Sequence, residues 1–176
     1  MKVRFAAPAD AASIAAVEAA TWEATYRGLI PDSVFARRPL DRRVALWNDL
    51  LGDPSVRVTA VAEDDSGAIV GYCNGEKPHE HLDEYDAEIV GLYVLPTCQR
   101  RGCGAMLFRF VAEELERRGH RALLVWVLRT NPYRAFYEKL GGHYVGDRTL
   151  DLGAPLAVAG YGWKRIEHVR LGLERR

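Results

Sequence analysis

The chain predicts a single α/β domain in which helices flank a central mixed, mostly antiparallel sheet, and three observations carry that reading. Short apolar runs rich in β-branched and aromatic residues alternate with segments of helical period. Residues 56–62 and 68–74 are joined by Asp64, Asp65, Ser66 and Gly67, the residue types of a hairpin turn, so an antiparallel meander leads into the run at 87–95. The stretch from Asp86 to Gly119 then reads strand, turn, helix and is followed by the apolar run Arg121 to Leu128, a unit whose size calls for parallel pairing. A chain of 176 residues, 48% of them hydrophobic, suffices for one well-packed core and is short for two. No linker, internal repeat or low-complexity segment divides it, so the domain is drawn at residues 1–166, with 167–176 as an expendable tail.

From the N-terminus, Lys2 to Ala6 is a short strand, and Asp10 after Pro8 is placed to cap a helix. That helix carries a sparse stripe of Ile14, Val17, Trp22 and Tyr26 through an alanine-rich segment and is broken between Tyr26 and Pro31. A second helix runs from about Asp41 to Leu51 with Leu40, Val44, Trp47 and Leu51 on one face, closed by Gly52 and Pro54. This aromatic pair precedes the central strands and caps one end of the sheet. Large aromatics at helical spacing usually pack, so Trp22 and Tyr26 are read as core, with pocket lining as the open alternative. Between the meander and the central strand the chain is polar and acid-rich; its His79-x-His81 pair has no matching Cys or His spacing, so a solvated loop is expected and no metal is assigned. Asn131 and Pro132 open a short helix ending at Gly141 and Gly142, and strands at about 144–150 and 156–164 complete the sheet.

Charge narrows the partners. Lys plus Arg and Asp plus Glu number 24 each, so there is no global basic field to gather nucleic acid or anionic membrane, and any anion site must be local. No apolar run approaches the length of a membrane span, and MKVRFAAPAD lacks the apolar core of a secretory signal. A cytoplasmic location is therefore expected, with free thiols at Cys73, Cys98 and Cys103.

A local anion site is legible in the central unit. Ile89 to Leu95 is a buried strand closed by Pro96; Gln99, Arg100, Arg101, Gly102, Cys103 and Gly104 lead into a helix with Leu107, Phe108, Val111 and Leu115 on one face, stopped by Gly119. A strand that passes through a glycine-containing basic loop into a helix N-terminus gathers backbone N–H groups with no intrahelical partner. The helix dipole adds about half a positive charge there, and glycine at 102 and 104 removes the Cβ atoms that would hold a phosphate off the backbone. Arg100 and Arg101 add charge from the rim. The plainer alternative is a tight strand-to-helix turn with two solvated arginines.

Gln99-x-x-Gly102-x-Gly104 after one strand and Asn131-x-x-x-Ala135-x-Tyr137-x-x-x-Gly141 after the next together resemble the GCN5-related N-acetyltransferase (GNAT) superfamily. In element order the resemblance runs from Val3 to about Arg165 and is specific from Ala87 to Gly142; RFAAPADAASIAAV and TWEATYRGLIP also look like members. It implies a GNAT-like fold whose strands splay for acyl-CoA. It also implies transfer of the acetyl group of acetyl-CoA, the cosubstrate, to a primary amine by direct attack in a ternary complex, without a metal. Carried over residue by residue, Arg101, Gly102, Cys103, Gly104 and Ala105 surround the CoA pyrophosphate, with Gln99 and Arg100 at its edge. Leu92, Tyr93 and Val94 pair with pantetheine as another strand would. The Leu92 amide faces the acetyl carbonyl, where a donor helps as the oxygen gains negative charge, and Gly91 eases a bulge just before it. Asn131 matches a position that contacts the pantetheine arm. Tyr137 matches the tyrosine that protonates the departing thiolate, a phenol of pKa about 10 being protonated at neutral pH. Packing by Tyr137 and helix capping by Asn131 are structural roles open to the same residues.

An alkylammonium of pKa about 10 must lose a proton before its nitrogen attacks. Glu88, thirteen residues before Arg101, stands where a strand glutamate serves as base in histone-acetylating relatives, and burial can raise a carboxylate's pKa. A solvated edge glutamate is the alternative, and Glu76, His79 and His81 are substitutes. Two features depart from the pattern. Gly141, Gly142 and His143 occupy a region where many relatives have Gly followed directly by Phe, which bears on the acceptor cleft and not on the CoA site. Cys103 sits at a helix N-terminus, which tends to lower a thiol's pKa, but direct transfer needs no covalent cysteine and a small buried thiol is the expected role. Two rival readings remain. A noncatalytic acyl-CoA-binding sensor on the same fold would not need Tyr137, and a Rossmann-type dinucleotide module would need glycine where Leu107 stands and its loop after the first strand. The acid-rich stretch at 80–88 suits a cationic amine, a small molecule is expected as acceptor ahead of a protein, and the resemblance further implies a homodimer.

Overall fold

The computed structural model describes residues 1–78 and 84–169. Strands β1 (Lys2–Phe5), β2 (Arg57–Glu63), β3 (Ile69–Glu76), β4 (Ala87–Val94), β5 (Leu123–Leu128), β6 (His143–Asp151) and β7 (Pro155–Trp163) form one sheet in the order β1-β2-β3-β4-β5-β7-β6. Every neighbouring pair is antiparallel except β4 and β5. The helices are α1 (Ala11–Tyr26), α2 (Asp32–Ala36), α3 (Leu40–Leu51), α4 (Cys103–Arg117) and α5 (Ala135–Lys139). The mixed sheet with one parallel unit around α4 is thus the architecture that the periodicity predicts.

The two faces of the sheet bury different helices. On one, α4 lays Leu107, Phe108, Val111 and Leu115 against Val58, Ala60, Ile89, Leu123 and Val125. On the other, Ile14 and Val17 of α1 and Trp47 of α3 pack on Val61 and Tyr72. A third cluster joins Trp22, Tyr26, Ile30 and Val34 to Leu128, Leu156 and Val158, with Tyr93 against it. Trp22 and Tyr26 are therefore core residues, but of the cluster that bridges the end of β4 and the end of β5. Among the described residues no helix is long and apolar enough to cross a membrane, and no group of three or more His, Cys, Asp or Glu could hold a metal ion.

Four local details depart from expectation. The segment after Pro31 is not only a break: it forms the short helix α2, anchored by fully buried Val34, and five residues are too few to display a helical period. Asp10 does not cap α1 with its side chain. Its carboxylate accepts from Arg4 Nη1 at 2.6 Å and Nη2 at 3.0 Å and from the Ala7 N–H at 2.7 Å, so it ties the first strand to the turn that follows. The hydrogen bond from Arg4 holds the Asp10 carboxyl below the usual carboxylate range. The helix expected to open at Asn131 begins at Ala135 instead, because Asn131 Oδ1 accepts the Tyr133 N–H at 2.8 Å and closes a turn. Finally, the core runs past residue 166: Ile166 and Val169 both join the α4-side cluster, Val169 at 1% exposure. A cut after Ile166 therefore removes a core side chain.

Candidate active site

The sheet opens at its centre. β4 pairs with β5 only where Ala87, Glu88 and Ile89 face Leu123, Leu124 and Val125, although β4 continues to Val94 and β5 to Leu128. β5 stays paired with β7 along its whole length, so the two central strands part from residue 90 onward and leave a gap between them. The parting starts at a bulge: Gly75 faces Ile89 and Asn74 faces Gly91, which leaves Val90 without an opposite residue. Gly91 makes this possible, since a Cβ there would lie 2.7 Å from Asn74 Oδ1.

Backbone alternation decides which groups face the gap. The Leu95 N–H donates to the Val70 carbonyl at 2.9 Å. Counting back along an antiparallel ladder, Tyr93 also turns its N–H and C=O to β3, whereas Leu92 and Val94 turn theirs the other way, into the gap. Of the three strand residues expected to pair with a ligand, Tyr93 is thus corrected: its backbone belongs to β3, and only its side chain lines the opening. Gln99 Nε2 donates to the Val94 carbonyl oxygen at 2.9 Å, tying the loop to the strand end.

Beyond Pro96–Cys98, a single 3-10 turn, Arg100 (φ 60°) and Gly102 (φ 84°) both adopt left-handed backbone on either side of Arg101. Arg100 is the one non-glycine residue with positive φ among the described residues, a strained choice for a long side chain. Arg100 and Arg101 are exposed and make no side-chain hydrogen bond or ion pair among the described residues. Met106 makes the first backbone bond of the helix, to the Gly102 carbonyl at 3.0 Å, so the amides of Cys103, Gly104 and Ala105 have no intrahelical acceptor. Packing does not demand glycine at 104: a Cβ there would sit 3.6 Å from Phe136 and 3.9 Å from Val94, ordinary contact distances. Cys103 is the small buried thiol expected of it. Its side chain is buried in the core, and burial pushes the thiol up to about 11, overriding the helix terminus.

Tyr26, Tyr93 and Tyr137 lie close enough to act on one another's ionisation beside the parted strands. Tyr137 of α5 stacks on Tyr161, with ring centroids 5.7 Å apart at 23°, and packs edge-on to Phe136 and tilted against Phe108. Burial raises its phenol well above the ordinary value, and the neighbouring Tyr26, Tyr93, Cys73 and Tyr161 push the same way. From the α1 side, Tyr26 accepts a hydrogen bond from Asn131 Nδ2 at 2.7 Å, so both polar ends of Asn131 are engaged within the protein. The sequence favoured Tyr26 as core and left pocket lining as the alternative, with no role in binding assigned. Its helical spacing from Trp22 is that of any core pair, and only its place in TWEATYRGLIP hinted at more.

Glu88 lies elsewhere. Ala87 and Ile89 belong to the α4-side core, so alternation turns Glu88 to the α1 face, where it is 5% exposed and directly opposite Glu76. It is not a solvated edge residue. Glu76 accepts from Arg57 Nε at 2.8 Å and Nη2 at 2.7 Å, and Thr59 and Asn74 are further buried polar residues of β2 and β3. Leu92 and Val94, the loop amides, Tyr137 and Asn131 are therefore gathered at one end of the gap, while Glu88 stands about 13 Å of extended strand before Leu92. His79 and His81 lie outside the described residues.

The family model described as Acetyltransferase (GNAT) family matches residues 20–142. The chain is 28% identical over 174 residues to the uncharacterised N-acetyltransferase YuaI of Bacillus subtilis (strain 168), covering 98% of each chain. Among solved structures, YncA from Salmonella typhimurium, determined with its cofactor acetyl-CoA, superposes with a TM-score of 0.67 at 22% identity over 94% of each chain. PaiA N-acetyltransferase from Thermoplasma acidophilum, in complex with coenzyme A, gives 0.67 at 17% identity over 93% of this chain and 100% of its own. The ribosomal-protein-alanine N-acetyltransferase of Brucella melitensis gives 0.69 at 20% identity, over 93% and 99% respectively.

Proposed function

Because the chain belongs to the acetyltransferase (GNAT) family, we propose that it transfers the acetyl group of acetyl-CoA to the primary amine of a small molecule, the amine attacking the thioester directly while both are bound. The observation that carries this reading is the gap between β4 and β5, which opens beside a helix N-terminus with free amides. A strand-like chain with amide groups and a diphosphate at one end, which is what pantetheine and the CoA pyrophosphate provide, fits both features at once.

Each residue then has a task. Leu92 and Val94 hydrogen-bond the pantetheine amides as a neighbouring strand would, and the Leu92 N–H polarises the acetyl carbonyl as its oxygen gains charge. The amides of residues 101–105 hold the pyrophosphate on the positive end of α4, with Arg100 and Arg101 adding charge from outside. Gln99 fixes this loop against Val94 and acts as a positioning residue. Tyr137 donates to the departing sulfur. Its raised pKa keeps it protonated at every working pH, and the same burial disfavours a free thiolate, as the upward shift of nearby Cys73 illustrates, so acid and leaving group move together. Glu88 takes the amine proton through water, since its side chain cannot span the distance to Leu92 alone.

Incubation with acetyl-CoA and a panel of primary amines, followed by titration of free CoA thiol, tests the reading; amine-dependent release is expected. In the same assay, at subsaturating amine, Glu88→Gln should lose the rising limb of the pH–rate profile, be most impaired at low pH and recover partly where the amine is already deprotonated. A loss equal at every pH would assign Glu88 to packing or acceptor binding, and tight acetyl-CoA binding with no release for any amine would favour an acyl-CoA sensor.

A further inference from the structure

We propose that the acceptor amine also carries a carboxylate, and that Trp22 and Arg38 seat it on the α1 side of the gap; this rests on the transferase reading above and names its substrate class. Trp22 is 5% exposed, and its indole N–H is buried with no hydrogen-bond partner. It lies near the Tyr93 hydroxyl without reaching bonding geometry. Proteins rarely leave such a donor unmet, and here it stands beside the strand whose neighbouring amide, Leu92, faces the gap.

The charge beside it has the matching sign. The Arg38 guanidinium lies 4.0 Å over the Trp22 ring. It donates through Nη2 to Glu18, while its Nε and Nη1 make no hydrogen bond among the described residues. Glu18, itself buried, is fully occupied: Arg43 donates to it through Nε at 3.0 Å and Nη2 at 2.7 Å, and Trp47 Nε1 at 3.0 Å. Two guanidinium groups against one carboxylate leave a partly buried excess of one positive charge, and the indole N–H and the Nε and Nη1 of Arg38 beside it are unspent donors. A carboxylate accepts from both and neutralises the excess. A polyamine would instead bring a second ammonium against Arg38 and Arg43, so the cationic acceptor suggested by the acid-rich stretch at 80–88 is disfavoured at this end of the site.

The test uses the full chain, acetyl-CoA and matched pairs of α- and ω-amino acids with their carboxamides, with spermidine as an amine lacking a carboxylate. The best amino acid should exceed its carboxamide in kcat/KM by about 10²-fold, mostly through KM. Trp22→Phe keeps an aromatic ring for Arg38 and Tyr26 but deletes the N–H, and it should shrink that acid-to-carboxamide ratio roughly tenfold. Arg38→Gln should shrink it further, with part of it restored in Arg38→Lys. Spermidine or a carboxamide turned over as fast as any acid would overturn the proposal. Equal losses on acid and carboxamide in Trp22→Phe would do the same, since ring packing alone predicts them. Acetyl-CoA binding without turnover of any acid also overturns it, whereas failure to bind acetyl-CoA would bring down the transferase reading beneath it.

Discussion

Replacing Tyr137 with Phe should lower turnover by about 10²- to 10⁴-fold while changing acetyl-CoA affinity little. The substitution removes one oxygen from a ring whose contacts with Tyr161, Phe108 and Phe136 are all made by carbon, so packing of α5 on the sheet survives. What disappears is the phenol proposed to protonate the departing thiolate. Because burial raises this phenol, the donor form persists as pH rises, and Tyr137 itself should impose no falling limb on the rate up to at least its ordinary value of about 10. Unchanged turnover, under conditions where chemistry limits the rate, would remove Tyr137 from the mechanism and leave it a packing residue.

Gly104→Asp should abolish measurable acetyl-CoA binding, a loss of at least about 10²-fold, without unfolding the protein. The two loop glycines are not equivalent as test sites. At Gly102 the backbone is left-handed, so any side chain adds strain that would blur the result. At Gly104 the backbone is helical and a Cβ meets only ordinary contacts with Phe136 and Val94. An acid in the first turn of a helix moreover interacts favourably with the dipole, so α4 should be held or slightly stabilised while the same charge repels a pyrophosphate. The two effects have opposite signs, and a thermal melt beside a binding titration separates them. Retained affinity for acetyl-CoA in a folded Gly104→Asp protein would place the phosphates elsewhere.

How much of this was legible in the sequence depended on how local the cause was. The strand, loop and helix around Gly102 are set by residues within some thirty positions of one another: an apolar run, a proline stop, glycines at a turn and a helical stripe that the structure buries completely at Leu107, Phe108, Val111 and Leu115. The hairpin at 64–67 and the parallel return to Leu123–Leu128 follow from equally short-range signals. What escaped is what distant segments do to one another. Asp10 looked like a helix cap, but a guanidinium from β1 reached it first. Tyr93 looked equivalent to its neighbours until the register with β3 divided their amides between two sides. Tyr26 and Trp22 read as packing residues, with pocket lining as the alternative; they do pack, and the partners that also engage them, Asn131 some hundred residues on and Arg38, are not signalled by helical spacing.

The central claim is that the gap between β4 and β5, together with the amides at the start of α4, is a site for acetyl-CoA. Thermal unfolding with and without ligand tests it most directly. Acetyl-CoA at about 100 times its dissociation constant should add about 2.7 kcal/mol to the stability of the folded chain, which for a domain of this size raises the melting temperature by roughly 5–10 °C. NADH, which carries a pyrophosphate but no pantetheine to lie along Leu92 and Val94, should give little or no rise at the same concentration. Protection by NADH equal to that by acetyl-CoA, or no protection by acetyl-CoA at all, would contradict the account.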